Sequence, residues 1–448
     1  MLYLLYALFF TLPFERIPTL EVYGFTLKAS YLVAVILVTT FVIKKYRSIE
    51  YSMSDYILIL FWLWGSITLF WTNNTQLGAI IILLWLLMFV LYFVVARALN
   101  DQKTRDKVEN IVIFSTILVC IFGIYQFIGD SLGLSSSYTG IRYWYSKQIE
   151  ILGFPRIQSV ALEPLYFSNF LLVPLFISIK KYFTSCHSEL VSESHNRKTL
   201  NQVQGDNMIR KSNKMFWDDT LGNKYFWIII LILVNIILGV SRGAYLAIII
   251  TIAIMSLYLA LNWKKYRALK TRLTGIVVAV VISIAISYLG IYTLNGKSAA
   301  SDFQGHALVD DSESGASVPG RVESYSRAWQ YFKEKPLGGI GVGSFGTLNY
   351  FYDEEGLKHY GTVNNIYLEI ITEMGIIGFM LFVLFIIWYF KDFYAGYQKQ
   401  NDQEKLNAVL LLLGIVAVFI QYNFFSTLYI IYVWVFLAFL KAEVIYEK

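Results

Sequence analysis

Residues 320–379 hold the densest set of reactive side chains in the chain. The stretch GRVESYSRAWQYFKEKPLGGIGVGSF carries Arg321 and Arg327, and NNIYLEIITEMGIIGF then opens on Asn364 and Asn365 before running into apolar sequence. Glu369 and Glu373 follow Asn365 at helical spacing, so the amide and both carboxylates share one helix face at the mouth of an apolar run. Carboxylates so placed normally face a bundle interior or a water-filled cavity. They can take a proton from a hydroxyl, amides can orient it, and guanidinium groups can fork onto an anion. Two further sets lie elsewhere. Arg242, in Ser-Arg-Gly-Ala between two apolar stretches, sits where a charge needs an anionic partner or water, or else snorkels as a helix end. Arg156 and Glu163 share the segment FPRIQSVALEP, where Glu163 reads equally as a group that orients a hydroxyl and as a helix N-terminal charge. His359 and, more weakly, His306 read first as surface histidines; His359 reaches the set only if its loop folds back. Asn364 and Asn365 could also simply cap the helix that follows.

The elements that must carry these residues are membrane helices. The chain has 448 residues, 57% hydrophobic and 15% charged, which marks an all-α, polytopic membrane helix bundle. A stretch of about 20 apolar residues crosses the hydrocarbon core as a helix. That filter gives about twelve transmembrane helices, near residues 2–14, 31–43, 56–71, 77–95, 111–128, 165–179, 225–240, 244–263, 273–294, 365–390, 407–422 and 427–440. The first is read as a helix and not a cleaved signal, because it lacks a positive leading region and a small-residue cleavage site. Lys and Arg concentrate in alternate short loops, which places both termini in the cytoplasm. The resulting organisation is 1–181 (helices 1–6), 182–224 (a disordered cytoplasmic loop), 225–294 (helices 7–9), 295–363 (a large periplasmic loop with an amphipathic helix) and 364–448 (helices 10–12). The net charge of +6 belongs to juxtamembrane loops facing membrane lipids and implies no nucleic acid.

The two soluble segments read differently. Residues 182–224 are polar and aperiodic, and resemble the translated form of a dispersed bacterial repeat, an insertion without a catalytic role. Cys186, His187 and His195 fall there at no metal-ligand spacing, and with Cys120 inside a span no disulfide framework exists. In the second, the part before Pro319-Gly320 is acidic and loop-like. Val322, Tyr325, Trp329 and Phe332 then recur as an amphipathic helix ended by Pro336, to lie on the membrane surface or pack on the bundle. The glycines Gly338, Gly339, Gly341, Gly343 and Gly346 mimic a dinucleotide fingerprint, but no strand or βαβ unit surrounds them. They predict a tight re-entrant turn or a close backbone approach to a ligand.

LGVSRGAYLA (238–247), GR-x7-W with PLGGIGVGSF, and NNIYLEIITEMGIIGF, in this order on one face, resemble the O-antigen ligase and O-antigen polymerase family of bacterial envelope glycosyltransferases. The resemblance implies glycan transfer from an undecaprenyl pyrophosphate carrier to an acceptor hydroxyl at the periplasmic face of the inner membrane, with a glycan or the lipid A core as acceptor. Arg242 and Arg321 become the pyrophosphate ligands, since a fork of N–H donors suits a leaving group whose charge grows. Arg156, Glu163, Arg327 and His359 form a secondary substrate-binding set. Arg327, about 240° round the helix from Arg321, is expected on another face. Family ligases open the helix after the large loop with His-Asn, whereas this chain has Asn364-Asn365, and Asn is no proton acceptor near neutrality. Glu369, with Asn364 and Asn365, is therefore the expected catalytic set, and polymerisation of repeat units is preferred to ligation. No cofactor and no metal is implied. A lipid-linked sugar transporter or flippase would want charges deep in the spans and repeat symmetry, and neither is found; the arginines argue more weakly against a receptor or scaffold.

Overall fold

The computed structural model describes residues 1–16, 20–22, 25–43, 51–142, 145–147, 152–185, 220–266, 269–308, 317–352 and 358–445. Most of the expected 182–224 loop, with Cys186, His187 and His195, lies outside them, as do the side chains of His306 and His359. In chain order the elements are α1 (Leu2–Thr11), β1 (Leu20–Val22), β2 (Phe25–Leu27), α2 (Ala29–Ile43), α3 (Met53–Ile67), α4 (Thr75–Ala98), α5 (Gln102–Ser131), α6 (Ser136–Thr139), α7 (Pro164–Thr184), α8 (Lys224–Leu238), α9 (Arg242–Leu261), α10 (Trp263–Tyr266), α11 (Lys270–Leu308), α12 (Ser317–Glu334), α13 (Ser344–Leu348), β3 (Tyr350–Tyr352), β4 (Lys358–Tyr360), α14 (Ile366–Tyr397), α15 (Asp402–Gln421) and α16 (Ile431–Ile445). Among the described residues the fold is helical apart from two antiparallel ribbons of short strands.

By length and composition, 7 helices among the described residues can cross a membrane: 53–70, 75–98, 102–131, 242–261, 272–305, 366–397 and 402–421. Three of the remaining expected spans coincide with the shorter apolar helices α1, α2 and α8, and the last two with α7 and α16. The helix starts are written in polar caps. Asn74, Asn223 and Asn365 accept from backbone N–H groups in the first turns of α4, α8 and α14, and Asn401 with Glu404 makes a capping box on α15. The largest departure from the expected boundaries is at the end of α11. Gly296, at φ 92°, breaks α11 where the outer loop was to begin, but the helix resumes and continues to Leu308.

The chain forms two units. The first comprises residues 1–108, 311–408 and 418–448. Within it α14 packs along α3, α16 along α4, and α12 on α14. Trp434 sits at its centre, with the Phe89 ring 4.5 Å away and Tyr92 and Phe385 beyond. Two buried ion pairs lie here, Lys28 with Glu15 at 2.6 Å and Lys441 with Asp55, and the pairing offsets the cost of removing these charges from water. The second unit comprises residues 109–310 and 409–417. There α8 packs between α7 and α11, and Gly414 lets the 409–417 segment approach the Val173 backbone. Glu109 is buried against Lys180 and Lys181, each at 2.6 Å.

Candidate functional site

The frame of the first unit's site is made by glycine. α14 breaks at Gly375 (φ 66°, ψ −170°), and the turn after Pro336 threads the break. Ile340 donates its N–H to the Thr372 carbonyl at 3.0 Å, Gly341 to Glu373 at 2.9 Å, and Ile376 to Pro336 at 2.8 Å. Gly339 and Gly341 have φ of 70° and 97°, and a Cβ on Gly339 would stand 2.3 Å from the Glu373 carbonyl carbon. The Glu373 carboxylate accepts the N–H groups of Gly343 and Phe345, both at 3.0 Å. The close approach expected of these glycines is thus to the protein's own backbone, and Glu373 is the anchor of the turn.

On this frame α12 packs through Ala328, flanked by Tyr325 and Tyr331, against Ile340, Phe345 and Val363. The buried face is therefore rotated from the expected stripe: Val322 and Trp329 are exposed, at 61% and 50%. Both sides of the helix carry apolar residues, so periodicity alone did not select the one that packs.

A cleft of about 660 Å³ opens beside α12 and is lined by Arg321, Arg327, Asn349, Tyr350, Tyr360 and Asn364, among others. Arg321 and Arg327 were expected on different faces, yet both line this one cleft. Arg327 is turned into it by an ion pair with Glu323 and a 3.0 Å bond from Nη1 to Asn349 Oδ1. The Arg321 guanidinium lies 6.0 Å from the Phe424 ring. Tyr325 OH lies 3.2 Å from the Asn364 carbonyl and 3.0 Å from that of Asn423. Burial holds the Tyr325 phenol above its ordinary range, while Arg321 and an Asn365 hydrogen bond act the other way. Asn364 adopts a left-handed φ of 59°, and its N–H donates to Ser426 Oγ at 3.2 Å. That hydroxyl also reaches Glu369, which is half-buried one turn into α14. Asn365 caps α14 through Leu368 N–H at 3.0 Å. His359 stands on β4 opposite Phe351. Arg321, Arg327, Asn364, Asn365 and Glu369 are thereby gathered in one place. Tyr325, Ser426 and Asn349 connect them and were not anticipated, because a Tyr in an apolar stripe and a Ser between helices carry no signal of their own.

The second unit assembles the other set. Arg156 donates from Nε to the Gly239 carbonyl and from Nη2 to that of Val240, both at 3.0 Å, and so binds the end of α8. Two residues beyond Val240, Arg242 opens α9, half-buried. Glu163 is the N-terminal cap of α7, with no side-chain cap bond. Tyr145 joins them: burial and the Glu163 carboxylate push its phenol up to about 12, against the opposing effect of Arg156 and Arg142. Among the described residues no group of three or more His, Cys, Asp or Glu gathers to hold a metal.

Several apolar helices mark a multi-pass membrane protein, and one of its units carries a cleft lined by two guanidiniums, two amides and a carboxylate. Residues 227–383 match the family model described as O-antigen ligase, a match that supports the likeness to the O-antigen ligase/polymerase family. The matched segment contains Arg242, Arg321, Arg327, His359, Asn364, Asn365 and Glu369, and ends before α15; Arg156 and Glu163 precede it. A search of curated proteins finds no match.

Proposed function

We propose that the protein transfers a glycan from an undecaprenyl pyrophosphate carrier to an acceptor hydroxyl at the periplasmic face of the inner membrane, polymerising the repeat units of a surface polysaccharide. About twelve membrane helices with both termini in the cytoplasm complete this reading. The observation that carries it is the cleft in which Arg321 and Arg327 face Asn364, with Glu369 one turn beyond. Arg321 forks onto the pyrophosphate and stabilises the charge that grows as the anomeric C–O bond breaks. Asn364 and Asn365 orient the acceptor, whose oxygen bonds to the anomeric carbon while its proton passes to the Glu369 carboxylate. The lipid pyrophosphate departs as the anion. Arg242 keeps the pyrophosphate role that the resemblance gives it, and Arg156, Glu163 and His359 their secondary substrate-binding roles.

The ligase description of the matching family model favours a second reading, transfer of finished glycan to the lipid A core or another acceptor. The absent histidine at Asn364 tips the balance to polymerase. Deleting the gene and sizing envelope and carrier-linked glycans separates the two: single repeat units on capped acceptors mean polymerase, long chains stranded on the carrier mean ligase, and no change overturns both. Arg321→Lys and Arg242→Lys, each keeping the charge but losing the fork, should each cut transfer at least about tenfold. Full activity in both removes the pyrophosphate assignment.

A further inference from the structure

The cleft has an aromatic wall that pyrophosphate binding leaves unexplained. β3 and β4 pair antiparallel with Tyr350 directly opposite Tyr360, a register that sets both rings side by side on one face. Both line the cleft, and both are about half exposed, at 49% and 46%. Their surroundings are polar: Asn349, Thr362, Asn364 and Glu323 share the lining. The ribbon is held in place at its base. Gly361 N–H donates to the Asn349 carbonyl at 2.9 Å, a Cβ on Gly361 would lie 2.2 Å from that oxygen, and Arg327 fixes the Asn349 side chain.

We infer that Tyr350 and Tyr360 form a stacking platform for a pyranose ring of the glycan substrate. A pyranose presents a face of C–H bonds and a rim of hydroxyls, so it needs an aromatic plane bordered by hydrogen-bonding side chains. Rigid tyrosines supply such area with little loss of side-chain freedom. The amides of Asn349 and Asn364, the Thr362 hydroxyl and the Glu323 carboxylate supply donors and acceptors for the rim. The platform shares its cleft with Arg321, so a sugar stacked there lies in the same cavity as the proposed phosphate site. This inference rests on the glycan-transfer reading for its substrate class, and the sugar can belong to the donor or to the acceptor.

The test uses the full chain in lipid nanodiscs, with carrier-linked glycan from its own host as substrate. Free oligosaccharide released from that glycan by mild acid serves as the binding probe in saturation-transfer NMR. Tyr350→Ala and Tyr360→Ala should each raise the KM for one substrate about tenfold with kcat nearly unchanged. Whether the KM for donor or for acceptor moves identifies the source of the sugar. Tyr→Phe at either position keeps the ring and should retain the wild-type KM, which separates stacking from misfolding. Saturation transfer to the oligosaccharide should vanish in the double alanine variant. Wild-type KM values and wild-type saturation transfer in that variant overturn the platform while leaving the transfer reading standing. A wild-type protein that transfers nothing, yet shows saturation transfer that the double variant loses, overturns the transfer reading and supports the platform.

Discussion

Two glutamates four residues apart on α14 should fail in opposite ways. Glu373 is 6% exposed and accepts two backbone N–H groups of the glycine turn at 3.0 Å. A hydrogen bond to a charged group contributes about 1.5–3 kcal/mol, so Glu373→Ala, which strands both donors away from water, should cost about 3–6 kcal/mol. That is a large share of the roughly 5–15 kcal/mol that holds a typical fold. Glu373→Gln keeps one acceptor oxygen and points an amide N–H₂ at the other donor, so it should cost about half as much. Glu369 takes no part in the turn. Glu369→Gln should change stability by less than about 1 kcal/mol and slow transfer by about 10²–10⁴-fold, the range for losing a general base. Thermal unfolding in detergent, read beside glycan extension in isolated membranes, separates the two. A Glu373→Ala protein that melts with the wild type refutes the anchoring argument. A Glu373→Gln protein that melts normally but transfers nothing would make Glu373, and not Glu369, the proton acceptor.

Gly339→Ala should yield no folded protein, because φ is 70° and the added Cβ meets the Glu373 backbone at 2.3 Å. Gly320→Ala, in the lining of the cleft, meets nothing within 4 Å and should be neutral or stabilising by up to about 1 kcal/mol, with activity retained; expression and melting compare them. Tyr145 supplies a pH dependence. Its phenol stays protonated to about 12 in the folded protein, whereas tyrosine ordinarily ionises near 10.0. Above pH 10 the unfolded chain gives up this proton and the folded chain does not, so its contribution to stability is present below pH 10 and lost between 10 and 12. Tyr145→Phe should remove about 1–3 kcal/mol of that alkaline loss, measured as the melting difference between pH 9 and pH 11.5.

The helices were legible because lipid enforces a simple rule. Runs such as that of α4 or α14 have one available structure, and their polar caps stand in the sequence as Asn74 and Asn365. Arg321, Asn365 and Glu369 stood out in the sequence for a related reason: polar groups at an apolar boundary are costly and so conspicuous. What escaped the sequence was pairing across long separations. Nothing near Thr68, Thr72 or Trp71 announces that their side chains receive the glycine turn, yet Trp71 Nε1 donates to the Gly339 carbonyl at 3.2 Å and Thr72 Oγ1 to that of Val342 at 2.8 Å. Glu373 looked like a partner of Glu369 because helical spacing is visible in sequence and a backbone turn docking on it is not. Arg327 was placed apart from Arg321 by angle alone; the reach of the side chain and the pull of Asn349 decide the matter.

The backbone itself marks the same places. Among the described residues three non-glycine residues have left-handed φ: Ser159 at 51°, Val240 at 47° and Asn364 at 59°. Ser159 lies between Arg156 and Glu163, Val240 two residues before Arg242, and Asn364 in the cleft. Such backbone costs of the order of 1–3 kcal/mol and persists only where the surroundings dictate it, most of all at a β-branched residue such as Val240. Each of the three is held by named side chains. Gln126 grips Ser159 at both backbone groups, accepting its N–H at 2.7 Å and donating to its carbonyl at 3.0 Å. Arg156 holds the Val240 carbonyl. Tyr325 and Ser426 hold the carbonyl and N–H of Asn364. Arg156 thus acts on the corner that presents Arg242, as Tyr325 acts on the turn that presents Asn364 and Asn365. In each unit the strain lies in the residues that aim the candidate groups, and the long polar side chains that looked like ligands in the sequence divide: Arg321 and Arg327 line the first unit's cleft, whereas Arg156 holds backbone within the second unit.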